Sequence, residues 1–171
     1  MKLWLAVLFL VMVNGGVQAS TAQAQSNAFR DARRLAELLN GGDGNGAVGI
    51  IHPNALAAMG GSQAVAAVLV AGSQLAKGKG VAIEVTVPSL PERIERVGRR
   101  LFALVKTRTW MTSAAGNANL DGFWLGVSED AGAHWTFVVF QDAANAQDDA
   151  RKLFPEGTGA LAFPASPTEA P

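Results

Sequence analysis

The stretch from residue 119 to 141, NLDGFWLGVSEDAGAHWTFVVFQ, limits the possible folds more than any other. Apolar residues recur at every second position on both sides of Ser128-Glu129-Asp130-Ala131-Gly132. That is the period of half-buried strands joined by a tight polar turn. With Ser128 opposite His134, Val127 faces Trp135, Leu125 faces Phe137 and Phe123 faces Val139, giving one apolar face for helices to cover. The same register sends Trp124 to the other face, against Val138. Trp110 has the parity of Lys106 and Arg108 in its own stretch. Trp110, Trp124 and Arg108 are therefore the expected ligand- or partner-binding residues of an outward face. A two-stranded hairpin is marginal alone, so neighbouring strands and a second layer are required.

The preceding residues supply that layer. Residues 29–40 place Phe29, Ala32, Leu35, Ala36 and Leu39 on one stripe and stop at Asn40-Gly41-Gly42, as an amphipathic helix does. Residues 44–51 are ambiguous, because Asp43 suits a helix cap while Gly44, Gly46 and Gly49 oppose a helix. His52-Pro53-Asn54 reads as a turn. Ser62 is a suitable cap for a helix over residues 63–77 with Val65, Val68, Leu69 and Leu75 on its apolar stripe. After Gly80 the period changes from 3.6 to 2, and Val81, Ile83, Val85 and Val87 alternate with Ala82, Glu84 and Thr86. Residues 92–97 and 99–112 form a second hairpin turning near Gly98, and residues 142–154 hold a final helical turn or two. Helices followed by four or five antiparallel strands predict an α+β fold, with N-terminal helices packed on one face of a curved antiparallel sheet.

Residues 1–19 read as a secretory leader: Lys2, an apolar run over residues 3–13, then Val17-Gln18-Ala19 with small residues at the cleavage positions. The run is too short to span a bilayer, which takes about 20 residues. Cleavage is expected after Ala19, with a second possible cut after Ala22-Gln23-Ala24. The protein is then periplasmic or secreted, with no stable membrane insertion once the leader is gone. Residues 20–28 are expected to be a flexible lead-in, 29–154 a single domain and 155–171 a disordered tail rich in Pro and Ala. The chain has no cysteine, hence no disulfide, thiolate metal site or cysteine nucleophile, and no tyrosine. Fourteen basic residues balance fourteen acidic ones, so bulk attraction to nucleic acid is not expected.

Several motifs together resemble the nuclear transport factor 2-like, or ketosteroid-isomerase-like, cone. They are the first helix ending at an Asn-Gly-Gly-Asp turn, then Ile51-His52-Pro53, Met59-Gly60-Gly61 opening a helix, and strands closing on GAHWTFV. The resemblance covers roughly residues 29–154 and is nearest to small exported bacterial members without an assigned activity. It implies the cone fold, a homodimer through the outer sheet face, and room for a small apolar ligand inside. Ketosteroid isomerase-type chemistry uses a tyrosine that this chain lacks.

Three readings of function follow. The first is a non-catalytic binding or dimerisation module. The second is an enzyme in which His52 acts as a base with Glu84 or Asp121. The third is binding of carbohydrate or envelope polymer by Trp110 and Trp124. Two histidines far apart in sequence do not make a metal site, and no residue set points to a cofactor. Ser128-x-Asp130-x-Gly132-x-x-Trp135 also resembles the Asp-box of sialidase-type propellers, but a single copy reads as turn chemistry. Arg93, Arg96, Arg99 and Arg100 are interleaved with Glu92 and Glu95, as on a solvated sheet edge.

Overall fold

The first helix, α1 (Thr21–Gly41), buries Ala24, Ala28, Ala32, Leu35 and Ala36 along one side. Mostly small, these side chains let the helix axis lie close to the sheet. The computed structural model describes residues 20–140, 144–157, 161 and 163. Within it α1 begins eight residues earlier than the apolar stripe of residues 29–40 predicts. The expected lead-in, residues 20–28, forms its first two turns, capped by the Ser20 hydroxyl, which accepts from the Gln23 N–H at 3.2 Å. Two short helices follow, α2 (Gly44–Val48) and α3 (Pro53–Ala58), then α4 (Ser62–Gly78). Gly61, not Ser62, occupies the cap position of α4, and no side chain caps it.

The sheet is built around β3 (Arg100–Ser113). One edge of β3 pairs with β4 (Gly116–Ser128), continuously from Leu101↔Ser128 to Ser113↔Gly116. Its other edge is shared by β1 (Ala82–Thr86) and β2 (Ile94–Val97), whose chain passes Pro88 and Pro91 between them. Proline has no N–H to give a ladder, so the two pieces separate there. β5 (Thr136–Val139) completes the sheet beside β4, and α5 (Ala146–Leu153) follows. The architecture is the expected α+β one, N-terminal helices on a curled antiparallel half-barrel. The long hairpin, however, is β3–β4, turning at Ala114-Ala115, and the stretch that looked dominant in sequence supplies most of β4 and the four-residue β5.

The register of β4 and β5 corrects the prediction by one residue. Val127 pairs with Thr136, Gly126 with Phe137, Leu125 with Val138 and Trp124 with Val139. Two successive residues in the left-handed region, Ala131 (φ 60°) and Gly132 (φ 91°), belong to a turn longer than the tight one assumed. A one-residue shift exchanges faces. Trp124 therefore lies on the helix side, 5% exposed, with its ring 6.1 Å from that of Phe137. Gly126 makes this possible, because a Cβ there would lie 3.0 Å from the Phe137 ring and 3.1 Å from the Trp135 ring. The other face carries Phe102, Val127 and Phe123.

The C-terminal residues cover that other face. Phe154 meets the Phe102 ring edge-on at 5.5 Å, and Phe163 meets Phe123 at 5.8 Å. Gly157 and Leu161 are buried as well. At these positions the expected disordered tail is packed structure. The rest of that segment (158–160, 162 and 164–171) and the expected leader (1–19) lie outside the described residues. No helix among the described residues is long and apolar enough to cross a membrane.

Candidate functional site

His52 was the sequence candidate for a general base, and its surroundings give it another task. It caps α3: its Nδ1 accepts the Asn54 N–H at 3.1 Å, while its own peptide N–H donates to the Phe137 carbonyl at 2.9 Å. The ring is 4% exposed and meets Phe154 edge-on at 4.8 Å. Because the Nδ1 lone pair is occupied, the neutral ring carries its proton on Nε2 and offers a donor, not a base. Burial pushes the imidazole pKa down; Glu129 opposes that shift and Arg100 adds to it.

The proposed acid partners lie elsewhere. The His52 peptide bonds to Phe137, which stands opposite Gly126. Asp121 is five residues further along β4, roughly 16 Å at the rise of a strand. Glu84 pairs with Trp110, itself opposite Asn119, roughly 23 Å away by the same rise. Asp121 is engaged with Arg108, Nε to Oδ1 at 2.6 Å and Nη2 to Oδ2 at 3.2 Å. The Arg108 hydrogen bond holds that exposed carboxyl below its usual range. His52, Glu84 and Asp121 do not form one site.

Of the three outward residues expected, two come together. The Arg108 guanidinium lies 5.9 Å from the centre of the Trp110 ring, and Trp110 is 42% exposed. Trp124, on the opposite face and buried, cannot join them.

The turn between β4 and β5 is wired as a rigid corner. The Ser128 hydroxyl donates to Asp130 Oδ1 at 2.8 Å and accepts the Gly132 N–H at 2.9 Å. The same Oδ1 accepts the His134 N–H at 3.0 Å, and the His134 ring meets Oδ2 at 2.7 Å. Partial burial works to raise the Asp130 carboxyl, but the bonds from His134 and Ser128 outweigh it and hold the pKa at about 2. Gly132 O accepts from both Trp135 Nε1 (3.2 Å) and Asn27 Nδ2 (2.8 Å), and the Trp135 N–H donates to Asp31 Oδ2 at 3.0 Å. The motif thus fastens the turn to α1.

An unexpected surface lies between α4 and β1. A groove of about 710 Å³ runs there, lined by Val68, Leu69, Ala76, Val81, Ile83 and Val85 among others. Val68 (71% exposed) and Leu75 (60%), predicted to face the core, point outward. Of α4 only Val65 and Ala66 are buried. Ile83 pairs with Met111, and Leu120 stands opposite Thr109 on the same sheet face; all three apolar side chains are exposed. The signal was present in sequence. Ala64, Val68, Ala71 and Leu75 recur at spacings of four, three and four, so α4 is apolar on a second side. Among the described residues no group of three or more His, Asp or Glu side chains could hold a metal ion.

No family model matches the chain, and no curated protein matches it. Among solved structures it is similar to an LEH-like epoxide hydrolase from M. tuberculosis, with 14% identity, 68% of this chain and 82% of that one covered, and a TM-score of 0.34. It is also similar to an NTF2-like protein of unknown function from Burkholderia pseudomallei, with 15% identity, 74% and 96% covered, and a TM-score of 0.32. The chain's own element order and strand pairing are those of helices packed on a curled antiparallel half-barrel.

Proposed function

We propose that this protein is an exported, non-catalytic interaction module that forms a homodimer through the apolar surface of α4, β1 and the adjoining end of the β3–β4 hairpin. The observation that carries the reading is the cluster of exposed Val68, Leu75, Ile83, Met111 and Leu120 around the α4–β1 groove. Large exposed apolar patches mark contact sites. A second copy suits this one because an isologous contact needs only a self-complementary patch. Here a concave groove adjoins a projecting hairpin that carries Met111 and Leu120. Charge fits as well: Lys77 and Lys79 close α4, Glu84 stands on β1, and none of the three makes an ion pair among the described residues.

The outer sheet face, first expected to be the dimer surface, is a poorer choice, since Phe154 and Phe163 already lie over it. Catalysis is disfavoured by two facts: His52 offers a donor rather than a lone pair, and both carboxylates stand far from it. On the helix side of the sheet Leu35, Phe137 and Trp124 are buried.

Sedimentation of Leu75→Asp against wild type tests the contact. An aspartate there buries a charge in the dimer only, so dissociation should rise at least about 30-fold, the equivalent of ~2 kcal/mol. An unchanged dissociation constant contradicts this surface.

A further inference from the structure

A second cleft lies at the other edge of the sheet from the α4–β1 groove, where the start of α3 meets the β4–β5 turn. Its volume is about 450 Å³, within the range of small-molecule clefts. Both histidines of the chain line it together with Glu129 and Asp130, and Pro53 and Val127 form an apolar wall. The geometry points to a binding site here for a ligand that carries an ammonium group beside a carbonyl, with His52 donating to the carbonyl oxygen and Glu129 accepting from the ammonium. The site is independent of the dimer contact and involves no catalysis, since no bond of the ligand is made or broken.

Most polar groups around the cleft are engaged within the protein. Asn54 Nδ2 donates to the Leu153 carbonyl at 2.9 Å, and the Thr136 hydroxyl donates to the Val127 carbonyl at 3.4 Å. Asp130 uses both oxygens on Ser128 and His134. Two groups remain. His52 Nδ1 is filled by the Asn54 N–H, so Nε2 carries the proton, and nothing among the described residues accepts it. Every fully buried side-chain nitrogen and oxygen of the described residues has a partner. Nε2 has none, so it opens onto the cleft although the residue is only 4% exposed. Its ring is fixed by the α3 cap and by Phe154, which preorganises this donor for one acceptor. Glu129 supplies the complementary group: Oε1 accepts from Arg100 Nε at 3.0 Å, and Oε2 makes no hydrogen bond among the described residues. Charge then selects the ligand. Glu129 and Asp130 outnumber Arg100, and Glu156 stands 3.9 Å from that arginine. An anion is repelled there and an ammonium is drawn in. A donor towards Glu129 and an acceptor towards His52 are what an amino group and its neighbouring carbonyl present together, in an amino-acid amide or at the amino terminus of a peptide. Pro53 and Val127 give apolar contact to a small side chain beside them.

Amide NMR spectra of the isotope-labelled protein, titrated with alaninamide and with trialanine amide, test the site. Saturable shifts confined to residues 52–54, 127–130 and 134–136, with dissociation constants in the millimolar range, are expected. Acetylating the amino group of trialanine amide should weaken binding at least about tenfold, and so should Glu129→Gln, because each removes the charge-assisted bond. Glu129 is exposed, so that variant keeps the fold. His52→Asn retains a capping oxygen for α3 but has no atom in the place of Nε2, and should weaken both probes by about tenfold. Tighter binding of trialanine amide than of alaninamide assigns the site to a peptide amino terminus, and equal affinities assign it to the amino amide itself. No saturable shifts, shifts centred elsewhere, or equal binding of the acetylated peptide would overturn the proposal.

Discussion

Gly126 shows how one residue decides which tryptophan faces the helices. The bare Cα lets the rings of Phe137 and Trp135 close over β4, and Trp124 follows onto the same side. Trp124→Ala should therefore cost about 3–5 kcal/mol, the usual range for emptying a buried aromatic site. Trp110→Ala, on the exposed face, should stay within about 0.5 kcal/mol. Urea midpoints of the two variants check this, and the opposite ranking would restore the register expected from sequence. His52 makes a second prediction. Its folded pKa is lowered below the ordinary value of about 6.5. The stability it contributes is therefore complete above the unfolded pKa and is lost as pH falls through the folded one. His52→Asn keeps a capping oxygen but has nothing to titrate. It should resemble wild type at neutral pH and lose less stability on acidification, measured as urea midpoints at pH 7 and pH 4. Parallel losses in both proteins would mean that His52 does not titrate there.

Among the elements, the β4–β5 turn and α1 act as a unit. Asn27→Ala leaves Gly132 O with one donor fewer in a buried place and should cost about 1–3 kcal/mol. The same substitution at solvated Asn117 should be nearly silent in the same thermal melts. The elements also show what sequence can and cannot carry. β1 was legible because Val81 to Val87 alternate cleanly, and β2 and β3 because Gly98 separates two runs of strand length. The pairing of β4 was not, because Phe123, Trp124 and Leu125 are apolar in succession and give no face preference. Only the turn length decides, and that depended on two left-handed residues. The start of α1 was hidden because its inward side there is Ala24 and Ala28, too small to register as an apolar stripe among Gln, Ser and Asn. The outward side of α4 was misassigned for the converse reason: Val68 and Leu75 are large and apolar and were counted on one stripe with Val65 and Leu69, whereas they belong to the second apolar side.

Over the whole molecule, two apolar surfaces compete for explanation. The outer sheet face is closed by the chain itself, through Phe154, Leu161 and Phe163. The α4–β1 surface has no cover among the described residues, and the account stands on a second copy supplying it. His52 stood out in sequence because histidine and carboxylate pairs are how catalysis is recognised. The groove did not, since an apolar helix side is read as core by default. Light scattering of the mature protein over a range of micromolar concentrations tests the central claim most directly. A mass of twice the chain, falling to a single chain with Leu75→Asp while the circular dichroism spectrum is unchanged, is the predicted result. A wild-type protein that remains a single chain throughout the range would contradict it.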